Sequence, residues 1–395
     1  MKVLIADKLS PAAVDALKSL GCKTTIDPGA TADDLPGHIS DHNILVVRST
    51  RVTADTINAA KSLSLIIRAG AGVNTIDLDA ASEHGIYVAN CPGENTQAVA
   101  ELVIGLMIAA DRRIVDAAVD LRGGKWNKKE YSKSSGLAGR TLGIIGLGSI
   151  GKAVAVAARG LKMNVIAWSR SFSPDKEIDL EIGYCPSPLE VAEKADVLSV
   201  HVAAAAETKH LCDKDFFSRM KEGAIFINSS RGDVVDTAAL KDAIERKKLR
   251  VALDVYENEP GGGAAEFRDT ALLKSITCTP HIGASTDQAS EAIAAAVVRI
   301  VEQYINTGKP LNAVNVRQEP CACSTLVVTH YNKVGVLAAV LTEIRAAGIN
   351  IEEMDNTIFR NGAAASATLK IDEKPAPEVV DKIRWIENVI QVTIK

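Results

Sequence analysis

The sequence lacks three features that would each define a class of protein. It has no apolar run approaching the roughly 18 residues of a membrane span, no large excess of charge of either sign, and few cysteines. Its 45 basic and 49 acidic residues leave a net charge of −4, which argues against a general nucleic-acid binder. We therefore expect neither a membrane nor a nucleic acid as partner.

The cysteine usage is typical of free thiols in a reducing compartment. Seven cysteines are scattered along the chain, and their number is odd. Only Cys321 and Cys323 lie close together, and no further metal-ligating residues accompany them, so we predict no metal site. The first residues, Met1–Asp7, have the pattern of a buried strand rather than of a signal peptide. The expected location is the cytoplasm.

Length and patterning predict a modular α/β protein. A chain of 395 residues, 47% hydrophobic and 24% charged, has room for two or three domains. Short β-branched runs alternate with alanine-rich stretches, as in parallel sheets covered by helices. The first unit contains predicted strands at Met1–Ala6, Ile44–Arg48 and Leu65–Arg68, followed by a long apolar helix over Glu94–Arg112.

A second sheet is predicted from Thr141 onward, where the alternation begins again. An alanine-rich helix over Ser285–Ile305 then returns to the first unit. A polar linker around Asn315–Ser324 precedes a βαββαβ order of elements, which predicts a separate ferredoxin-like domain. The six strands of the second sheet fit a doubly wound nucleotide-binding domain and are Leu142–Ile145, Met163–Ala167, Val197–Val200, Ala224–Asn228, Val251–Asp254 and Ser275–Cys278.

A glycine-rich loop after the first strand of the second sheet predicts a phosphate site. Gly146 allows the tight turn, Gly148 lets the backbone approach a pyrophosphate, and Gly151 lets the helix pack closely on the strand. Ser149 and Ile150 open that helix, whose free amides and positive dipole end attract the anion. Because a predicted strand precedes the loop and a predicted helix follows it, we expect dinucleotide binding.

The end of the next strand leaves the choice of dinucleotide open. A site that selects NAD usually has Asp or Glu about 20 residues after the glycine loop, bonded to the ribose hydroxyls. Here the strand ends in Ala167-Trp168-Ser169-Arg170, without a carboxylate. Ser169 and Arg170 suit a 2′-phosphate, which favours NADP. Alternatively, Arg170 is a solvated loop residue and NAD is held by other contacts.

Three separated stretches supply an arginine, a carboxylate and a histidine at predicted strand ends. They are Asn228–Gly232, Asp254–Pro260 and Thr279–Gly283. Arg231 would hold a carboxylate in a bidentate fork, His281 would move a hydroxyl proton, and Glu259 would stabilise the imidazolium. Hydride transfer on a hydroxy acid requires this set. We therefore predict that folding brings the three catalytic residues together.

The remaining carboxylates and histidines receive other assignments. Glu257 is predicted to be a solvated neighbour of Glu259. Asp254 is predicted to end its strand beside the nicotinamide and to hold the carboxamide. The histidines predicted to be structural or exposed are His38, His42, His84, His201 and His210.

Together these motifs resemble the D-isomer-specific 2-hydroxyacid dehydrogenase family over residues 1–317. The glycine loop and the three stretches occur in one order, which is a specific combination. Within the family the likeness is greatest to members that oxidise a phosphorylated hydroxy acid. Further matching segments are Val47–Arg51, Arg68–Asn74, Asn95 and Thr96 before Ala100–Leu102, and Gly124–Lys128. The C-terminal segment is similar to an ACT regulatory domain.

The resemblance implies a domain plan and an assembly. A Rossmann-type doubly wound dinucleotide domain, residues 93–282, is inserted in a flavodoxin-like substrate domain, residues 1–92 and 283–317. A βαββαβ ACT-like domain, residues 318–395, follows. The resemblance also implies a homodimer or homotetramer in which Trp126 and Lys128 reach a neighbouring active site. Local packing of Trp126 is the alternative.

The resemblance also implies substrate and effector residues. The implied carboxylate-binding residues are Ala71, Gly72, Asn74 and Arg231, and the implied phosphate-binding residues are Arg48, Ser49 and Asn95. An added arginine is chemically sensible, because a phosphorylated substrate needs cationic partners beyond the carboxylate-binding one. A surface position for Arg48 is the alternative. Thr96 is expected to contact the cofactor.

In the ACT-like domain, three polar residues match positions that bind L-serine in feedback-inhibited relatives. They are His330, Asn332 and Asn350. Relatives usually have proline before the glycine of this turn, whereas Val334 precedes Gly335 here, so the turn is less rigid. A serine effector is therefore expected, with an unregulated assembly domain as the alternative.

The expected reaction is the reversible oxidation of a small phosphorylated 2-hydroxy acid, in which His281 takes the hydroxyl proton as hydride leaves for NAD or NADP. One alternative is an NADPH-dependent glyoxylate or hydroxypyruvate reductase, which shares the catalytic residues and which Ser169 and Arg170 favour. Another, from a different class, is a dinucleotide-sensing corepressor scaffold. The complete catalytic set argues against that scaffold.

Overall fold

The computed structural model describes residues 1–176, 181–260, 266–317 and 322–395. The chain divides into two compact units, Met1–Asn315 and Val316–Lys395. Residue 318, the predicted start of the ACT-like domain, lies outside the described residues, as do Pro320 and Cys321 of the predicted linker. Across the described ranges, no helix combines the length and the apolarity needed to cross a bilayer.

The first sheet of the larger unit has five parallel strands in the order β2-β1-β3-β4-β5. They are β1 (Lys2–Ile5), β2 (Lys23–Ile26), β3 (Ile44–Val47), β4 (Leu65–Arg68) and β5 (Tyr87–Asn90). This is the flavodoxin-like order. The central strands are almost fully buried, as strands covered on both faces are. The helices between them are α1 (Pro11–Ser19), α2 (Leu35–His38), α3 (Ala54–Ala59) and α4 (Leu78–Glu83).

The second sheet has seven parallel strands in the order β12-β11-β10-β9-β6-β7-β8. They are β6 (Thr141–Ile145), β7 (Asn164–Trp168), β8 (Gly183–Tyr184), β9 (Val197–Val200), β10 (Ile225–Asn228), β11 (Arg250–Leu253) and β12 (Thr277–Cys278). The order reverses between β6 and β9, which is the switch point where doubly wound folds bind ligands. The six predicted strands are confirmed. The seventh, β8, is two residues long and shows no periodicity to detect.

The helices of the larger unit that follow the first sheet are α5 (Thr96–Arg112), α6 (Ile114–Arg122), α7 (Lys128–Tyr131), α8 (Ser149–Gly160), α9 (Pro188–Lys194), α10 (Lys214–Arg219), α11 (Thr237–Lys247), α12 (Thr270–Leu273) and α13 (Asp287–Thr307). Two of them connect the sheets. Val103 and Met107 of α5 lie in a core of the second sheet, whereas Ile293 and Val297 of α13 lie in a core of the first sheet. The chain therefore crosses between the sheets twice. The limits of the inserted domain, 93 and 282, stay a prediction.

The smaller unit is an antiparallel sheet covered by helices. Its elements are β13 (Ser324–Tyr331), α14 (Val336–Ala346), β14 (Ile351–Ile358), β15 (Ala364–Ile371), α15 (Pro377–Arg384) and β16 (Val389–Ile394), with the strand order β14-β15-β13-β16. Burial alternates along β13 and β15, so that residues such as Leu326 and Leu369 pack in one core with Val340 and Ile383. The predicted βαββαβ arrangement is confirmed.

Candidate active site

The glycine loop between β6 and α8 has the shape of a phosphate cradle. Gly146 has φ +97°, and a Cβ there would lie 2.8 Å from the His201 carbonyl. A Cβ at Gly151 would lie 2.3 Å from the Gly146 carbonyl oxygen, whereas Gly148 has open space around it. Gly146 and Gly151 thus permit close packing of backbone on backbone, and Gly148 leaves room for a ligand. These are the three roles that a dinucleotide site needs.

The first turn of α8 completes that cradle. Gly148 is its N-cap and no described side chain caps it, so the amides of Ser149 and Ile150 remain available to an anion at the positive end of the helix. At the end of β7, Ser169 is half-buried and Arg170 is exposed. The residues therefore fit a nicotinamide dinucleotide, and the contacts of Ser169 and Arg170 with its ribose stay a prediction.

His281 and Glu259 form a hydrogen-bonded pair. His281 Nδ1 lies 2.7 Å from Glu259 Oε2, and the Tyr256 backbone N–H donates to Glu259 Oε1 at 2.8 Å. Burial raises the pKa of Glu259, but these two hydrogen bonds and the charge of Arg231 outweigh it and hold the pKa below its ordinary value. Glu259 is therefore ionised near neutral pH. His281 is half-exposed and has φ +52°, an uncommon backbone conformation that clusters at functional sites.

Asp254 anchors the loop that carries His281. Its buried carboxylate accepts hydrogen bonds from Thr279 Oγ1 at 2.6 Å, from the Ile282 amide at 2.8 Å and from the Gly283 amide at 2.9 Å. Both carboxylate oxygens are therefore engaged on either side of His281. This role was not anticipated from the sequence, and the predicted contact of Asp254 with the nicotinamide carboxamide stays a prediction.

Arg231 is held at the end of β10 by a short network. Asn228 Nδ2 donates to the Arg231 carbonyl at 2.8 Å, and Arg231 Nη1 donates to the Ser230 carbonyl at 2.6 Å. A Cβ at Gly232 would lie 1.9 Å from the Tyr256 carbonyl oxygen. Only glycine therefore lets the Arg231 loop pack on the segment that leads to Glu259, which places the guanidinium within electrostatic reach of that carboxylate.

The loop after β4 brings further arginines to Arg231. A Cβ built at Gly72 would lie 2.2 Å from Arg231 Nη2, and one built at Gly70 would lie 1.6 Å from Arg68 Nη1. The positive charges of Arg231 and Arg48 both act on Arg68. Arg68 and Arg231 thus both approach the loop after β4, and Arg48 lies within electrostatic reach of Arg68. No ion pair of any of the three is found within the described ranges.

Asp7 holds the backbone that carries Arg48. Its Oδ2 accepts from the amides of Arg48 at 2.6 Å and of Ser49 and Thr50 at 3.1 Å each. A carboxylate with three backbone donors is firmly placed, so the turn after β3 is rigid. Sequence reasoning missed both Asp7 and Arg68. Asp7 follows the buried strand β1, and Arg68 ends the buried strand β4. A polar residue at the end of a buried strand is the same signal that identified Arg231.

The prediction that Glu257 is a solvated neighbour is wrong. Its side chain is largely buried, and its carboxylate binds His210 Nε2 at 2.7 Å and the Thr237 amide at 3.2 Å. His210 is likewise paired rather than free. The pair fastens the segment before Glu259 to the start of α11. Of the two glutamates, Glu257 therefore holds this segment in place, and Glu259 pairs with His281.

Several predicted site residues have no described contact that assigns a role. Asn95 is the N-cap of α5 but makes no side-chain cap bond, and Thr96 opens that helix half-buried. The Ser49 side chain is exposed. Asn74 lies beside Gly72, whose built Cβ would be 3.2 Å from its Oδ1, and the Ala71 carbonyl accepts from Asn90 Nδ2 at 2.6 Å. Their substrate or cofactor roles stay predictions.

The three residues predicted to bind serine are not brought together within one chain. His330 is buried, donates from Nδ1 to the Tyr331 carbonyl, and has no partner at Nε2 within the described ranges. Asn332 binds the Gly362 carbonyl near the same end of the sheet. Both segments can be located against β15. Asn350 precedes Ile351, which pairs with Ile371 of β15, whereas His330 pairs with Ala365 of the same strand. The six residues between Ala365 and Ile371 span about 20 Å, so Asn350 and His330 lie at opposite ends of the sheet.

Comparisons with known proteins agree with this geometry. Residues 104–283 match the family described as D-isomer specific 2-hydroxyacid dehydrogenase, NAD binding domain. The chain is 38% identical over 350 residues to a D-3-phosphoglycerate dehydrogenase of Archaeoglobus fulgidus, and the match covers 86% of this chain and 64% of that protein. The chain thus spans a little under two thirds of that relative's length.

Two further matches cover most of the other protein. A hydroxypyruvate reductase of Thermotoga maritima is 42% identical over 265 residues, which are 66% of this chain and 84% of that protein. The crystal structure of the TT0316 protein from Thermus thermophilus superposes with a TM-score of 0.71 at 32% identity, covering 80% of this chain and all of that one. The chain belongs to the D-isomer specific 2-hydroxyacid dehydrogenase family.

Proposed function

We propose that the protein oxidises D-3-phosphoglycerate to 3-phosphohydroxypyruvate, with hydride transfer to a nicotinamide dinucleotide, as the first step of L-serine biosynthesis. The observation that carries the proposal is the excess of positive charge beside the His281–Glu259 pair, where the described residues supply arginines without acidic partners. A substrate with both a carboxylate and a phosphate matches that excess. The 38% identity to the Archaeoglobus fulgidus enzyme supports it.

The chain's own residues account for binding and proton transfer. Arg231 orients the substrate carboxylate in a bidentate fork. Glu259 engages His281 Nδ1, so the ring carries its proton there and offers Nε2 to the substrate hydroxyl. His281 takes the hydroxyl proton during oxidation and returns it during reduction, and Glu259 stabilises the imidazolium between. When bound, the nicotinamide ring accepts the hydride from C2 or gives it back.

The proposal is tested by initial rates in both directions. The purified protein is given D-3-phosphoglycerate, 3-phosphohydroxypyruvate, hydroxypyruvate and glyoxylate, each with NAD(H) and NADP(H). We expect the phosphorylated pair to give the higher kcat/KM. Equal or better rates with the unphosphorylated acids would contradict the proposal.

Substitution of the two central residues tests the mechanism. His281→Ala and Arg231→Ala should each abolish turnover, because one removes the proton acceptor and the other the carboxylate fork. Binding of NADH, followed by its fluorescence, should be nearly unchanged in both, since neither residue belongs to the glycine loop. Retained turnover in either variant would remove that residue from the mechanism.

A second candidate is an NADPH-dependent glyoxylate or hydroxypyruvate reductase. It is favoured by the exposed Arg170 and by the lack of an acidic residue at the end of β7, and by the 42% identity to the Thermotoga maritima reductase. Arg170→Asp separates the cofactors: if Arg170 holds a 2′-phosphate, the variant loses NADPH activity and keeps or gains NADH activity. Dinucleotide binding without any turnover would instead favour the corepressor-type scaffold.

We propose a homodimer or homotetramer assembled through α6. None of the residues of this helix is buried within its own chain. About half or more of the surface is exposed at four of its apolar residues, Ile114, Val115, Val119 and Leu121. An apolar helix face of this size needs a partner. Trp126, 81% exposed, lies just beyond it, as expected for a residue that reaches a neighbouring active site. Light scattering should give two or four copies, and Val119→Glu should yield monomers.

We also propose L-serine as an effector of the smaller unit. Because Asn350 lies at the end of the sheet opposite His330 and Asn332, a site that uses all three requires two copies of the unit. The free Nε2 of His330 suits a carboxylate or hydroxyl. Equilibrium dialysis with L-serine tests this binding, and Asn350→Ala should weaken it as much as Asn332→Ala. Absence of binding at millimolar serine would leave an assembly domain.

A further inference from the structure

Tyr256 lies in the segment between β11 and Glu259, and its side chain turns back toward the end of the second sheet. Its hydroxyl oxygen lies 3.0 Å from the Thr279 carbonyl oxygen and 3.2 Å from the Leu253 carbonyl oxygen. Leu253 is the last residue of β11, and Thr279 directly follows β12. The phenol therefore reaches from one strand end to the next, while the backbone N–H of the same residue donates to Glu259.

One of the two carbonyl groups is the better acceptor for this hydroxyl. A phenol has a single O–H and donates one full hydrogen bond at a time. The Leu253 carbonyl already accepts from the Thr279 amide at 3.0 Å, at the end of the pairing between β11 and β12. Among the residues that the structure describes, no other group donates to the Thr279 carbonyl. The Tyr256 hydroxyl is therefore best placed to donate to Thr279.

This hydrogen bond joins the two segments that supply the proton-transfer pair. Tyr256 lies three residues before Glu259, and Thr279 lies two residues before His281. The strand β12 is only two residues long, so its pairing with β11 ends before His281 is reached. The phenol adds a link between the segments at the point where the regular pairing stops.

His281 depends on such a link, because its own packing does not fix its place. Its side chain is 49% exposed, and its φ of +52° is a conformation that costs energy for a residue with a side chain. A residue keeps such a conformation only where the surrounding structure imposes it. Asp254 engages the amides after His281 and the side chain of Thr279, and the Tyr256 hydroxyl engages the Thr279 backbone.

The phenol is itself held in place. Its ring packs against Phe267 with 4.8 Å between ring centroids and 56° between ring planes, and the Tyr256 carbonyl lies against Gly232, where a Cβ would be 1.9 Å away. Burial is the largest cause of a raised pKa of the Tyr256 hydroxyl. The group therefore stays protonated at neutral pH and remains a donor.

We propose that Tyr256 is a positioning residue for the proton-transfer pair, which holds Glu259 through its backbone N–H and the His281 segment through its phenolic hydroxyl. This inference rests on the proposed function, in which His281 exchanges the proton of the substrate hydroxyl. The rate of proton transfer should then depend on the hydroxyl of Tyr256, and not only on its aromatic ring.

The test is Tyr256→Phe, with Tyr184→Phe as the matched control. Both substitutions remove one phenolic hydroxyl from the second sheet and keep a ring that packs on a phenylalanine. Tyr184 lies on β8, at the opposite edge of that sheet. Within the described ranges, its hydroxyl makes no hydrogen bond.

The assay is kcat and KM for 3-phosphohydroxypyruvate and for hydroxypyruvate, with NADH affinity followed by fluorescence. We expect Tyr256→Phe to lower kcat by about fivefold, the equivalent of one hydrogen bond between uncharged groups. The KM and the NADH affinity should stay within about twofold of wild type, because the backbone of Tyr256 and the glycine loop are unchanged. Tyr184→Phe should leave all three quantities within about twofold.

The double variant Tyr256→Phe/Glu259→Gln distinguishes a positioning role from a structural one. If Tyr256 acts through the pair, its hydroxyl matters little once the Glu259 charge is gone. The kcat of the double variant should then stay within about twofold of that of Glu259→Gln. A structural role that is independent of the pair would instead make the two losses multiply.

The outcomes separate this inference from the proposed function. If Glu259→Gln and His281→Ala lower kcat but Tyr256→Phe keeps it, raises only KM, or multiplies the loss in the double variant, the inference is overturned and the proposed function stands. If Glu259→Gln and His281→Ala keep the wild-type kcat, the proton-transfer pair fails and the role of Tyr256 fails with it.

Discussion

Glu259→Gln separates proton transfer from substrate binding in this active site. In the wild type, the Glu259 carboxylate binds His281 Nδ1 at 2.7 Å and the Tyr256 amide at 2.8 Å. Glutamine has nearly the same shape, and its amide oxygen still accepts one of these bonds. It carries no charge, however. The variant should therefore keep the loop in place and lose most of the electrostatic stabilisation of the His281 imidazolium.

The magnitude follows from the geometry of the pair. A hydrogen bond to a charged group contributes about 1.5–3 kcal/mol. Because the side chains of His281 and Glu259 are 49% and 30% exposed, solvent screening favours the lower part of that range, about 1.5–2 kcal/mol. A tenfold change in rate corresponds to about 1.4 kcal/mol. Loss of the charge should therefore lower the kcat of the proton-transfer reaction by about 10- to 30-fold.

The loss should fall on proton transfer rather than on substrate binding. Both directions of the reaction pass a proton through His281, so both should slow by a similar factor. The KM should change little, because the substitution leaves Arg231 in place. The measurement is kcat and KM for 3-phosphohydroxypyruvate and for D-3-phosphoglycerate.

A matched control lies two residues away. Glu257→Gln removes an equal charge from the same segment, but its carboxylate binds His210 and the Thr237 amide rather than His281. The control should lower kcat by a much smaller factor, because the pair of His281 with Glu259 stays intact. The reasoning fails if Glu259→Gln keeps the wild-type kcat, or if it raises KM without lowering kcat.

Three further predictions concern packing and burial. Gly151→Ala should lower the Tm, because its Cβ would lie 2.3 Å from the Gly146 carbonyl oxygen. Gly148→Ala should keep the Tm, because the space around Gly148 is open, and it should weaken NADH binding measured by fluorescence. Burial lowers the pKa of His201 to about 4 from an ordinary 6.5, a shift that corresponds to about 3 kcal/mol. That stability is complete above pH 6.5 and is lost as the pH falls toward 4, so the Tm of His201→Asn should fall less over that interval. Gly72→Ala should raise the KM for the hydroxy acid without changing NADH affinity, since its Cβ would displace Arg231 Nη2.

The catalytic set could be predicted from the sequence because of how parallel sheets are built. Residues that follow consecutive parallel strands meet at one edge, whatever their separation along the chain. Arg231 follows β10, Glu259 lies in the segment after β11, and His281 follows β12, so the strand order alone brings them to one place. The distance of 2.7 Å between His281 and Glu259 agrees with that reasoning.

The parts that could not be predicted depend on the direction in which a side chain points. The sequence predicts that Glu259 rather than Glu257 pairs with His281, but only the folded loop shows that Glu257 contacts His210 instead of solvent. In the same way, His330 and Asn350 both belong to the ACT-like unit, but strand register places them at opposite ends of its sheet. Composition and spacing contain no information on register of this kind.

Glycines supply part of the missing information, because each marks where a larger group passes close to the backbone. Gly70 lies under the Arg68 guanidinium, Gly72 under that of Arg231, and Gly232 against the Tyr256 carbonyl. Arg68 ends a strand, and nothing in its own sequence position shows whether its side chain turns inward or toward solvent. Gly70 gives that information, because a side chain at position 70 would exclude the inward position of the Arg68 guanidinium. Gly70 and Gly72 therefore leave room for two guanidinium groups, those of Arg68 and Arg231, to approach the backbone of one loop although the two arginines follow strands of different sheets.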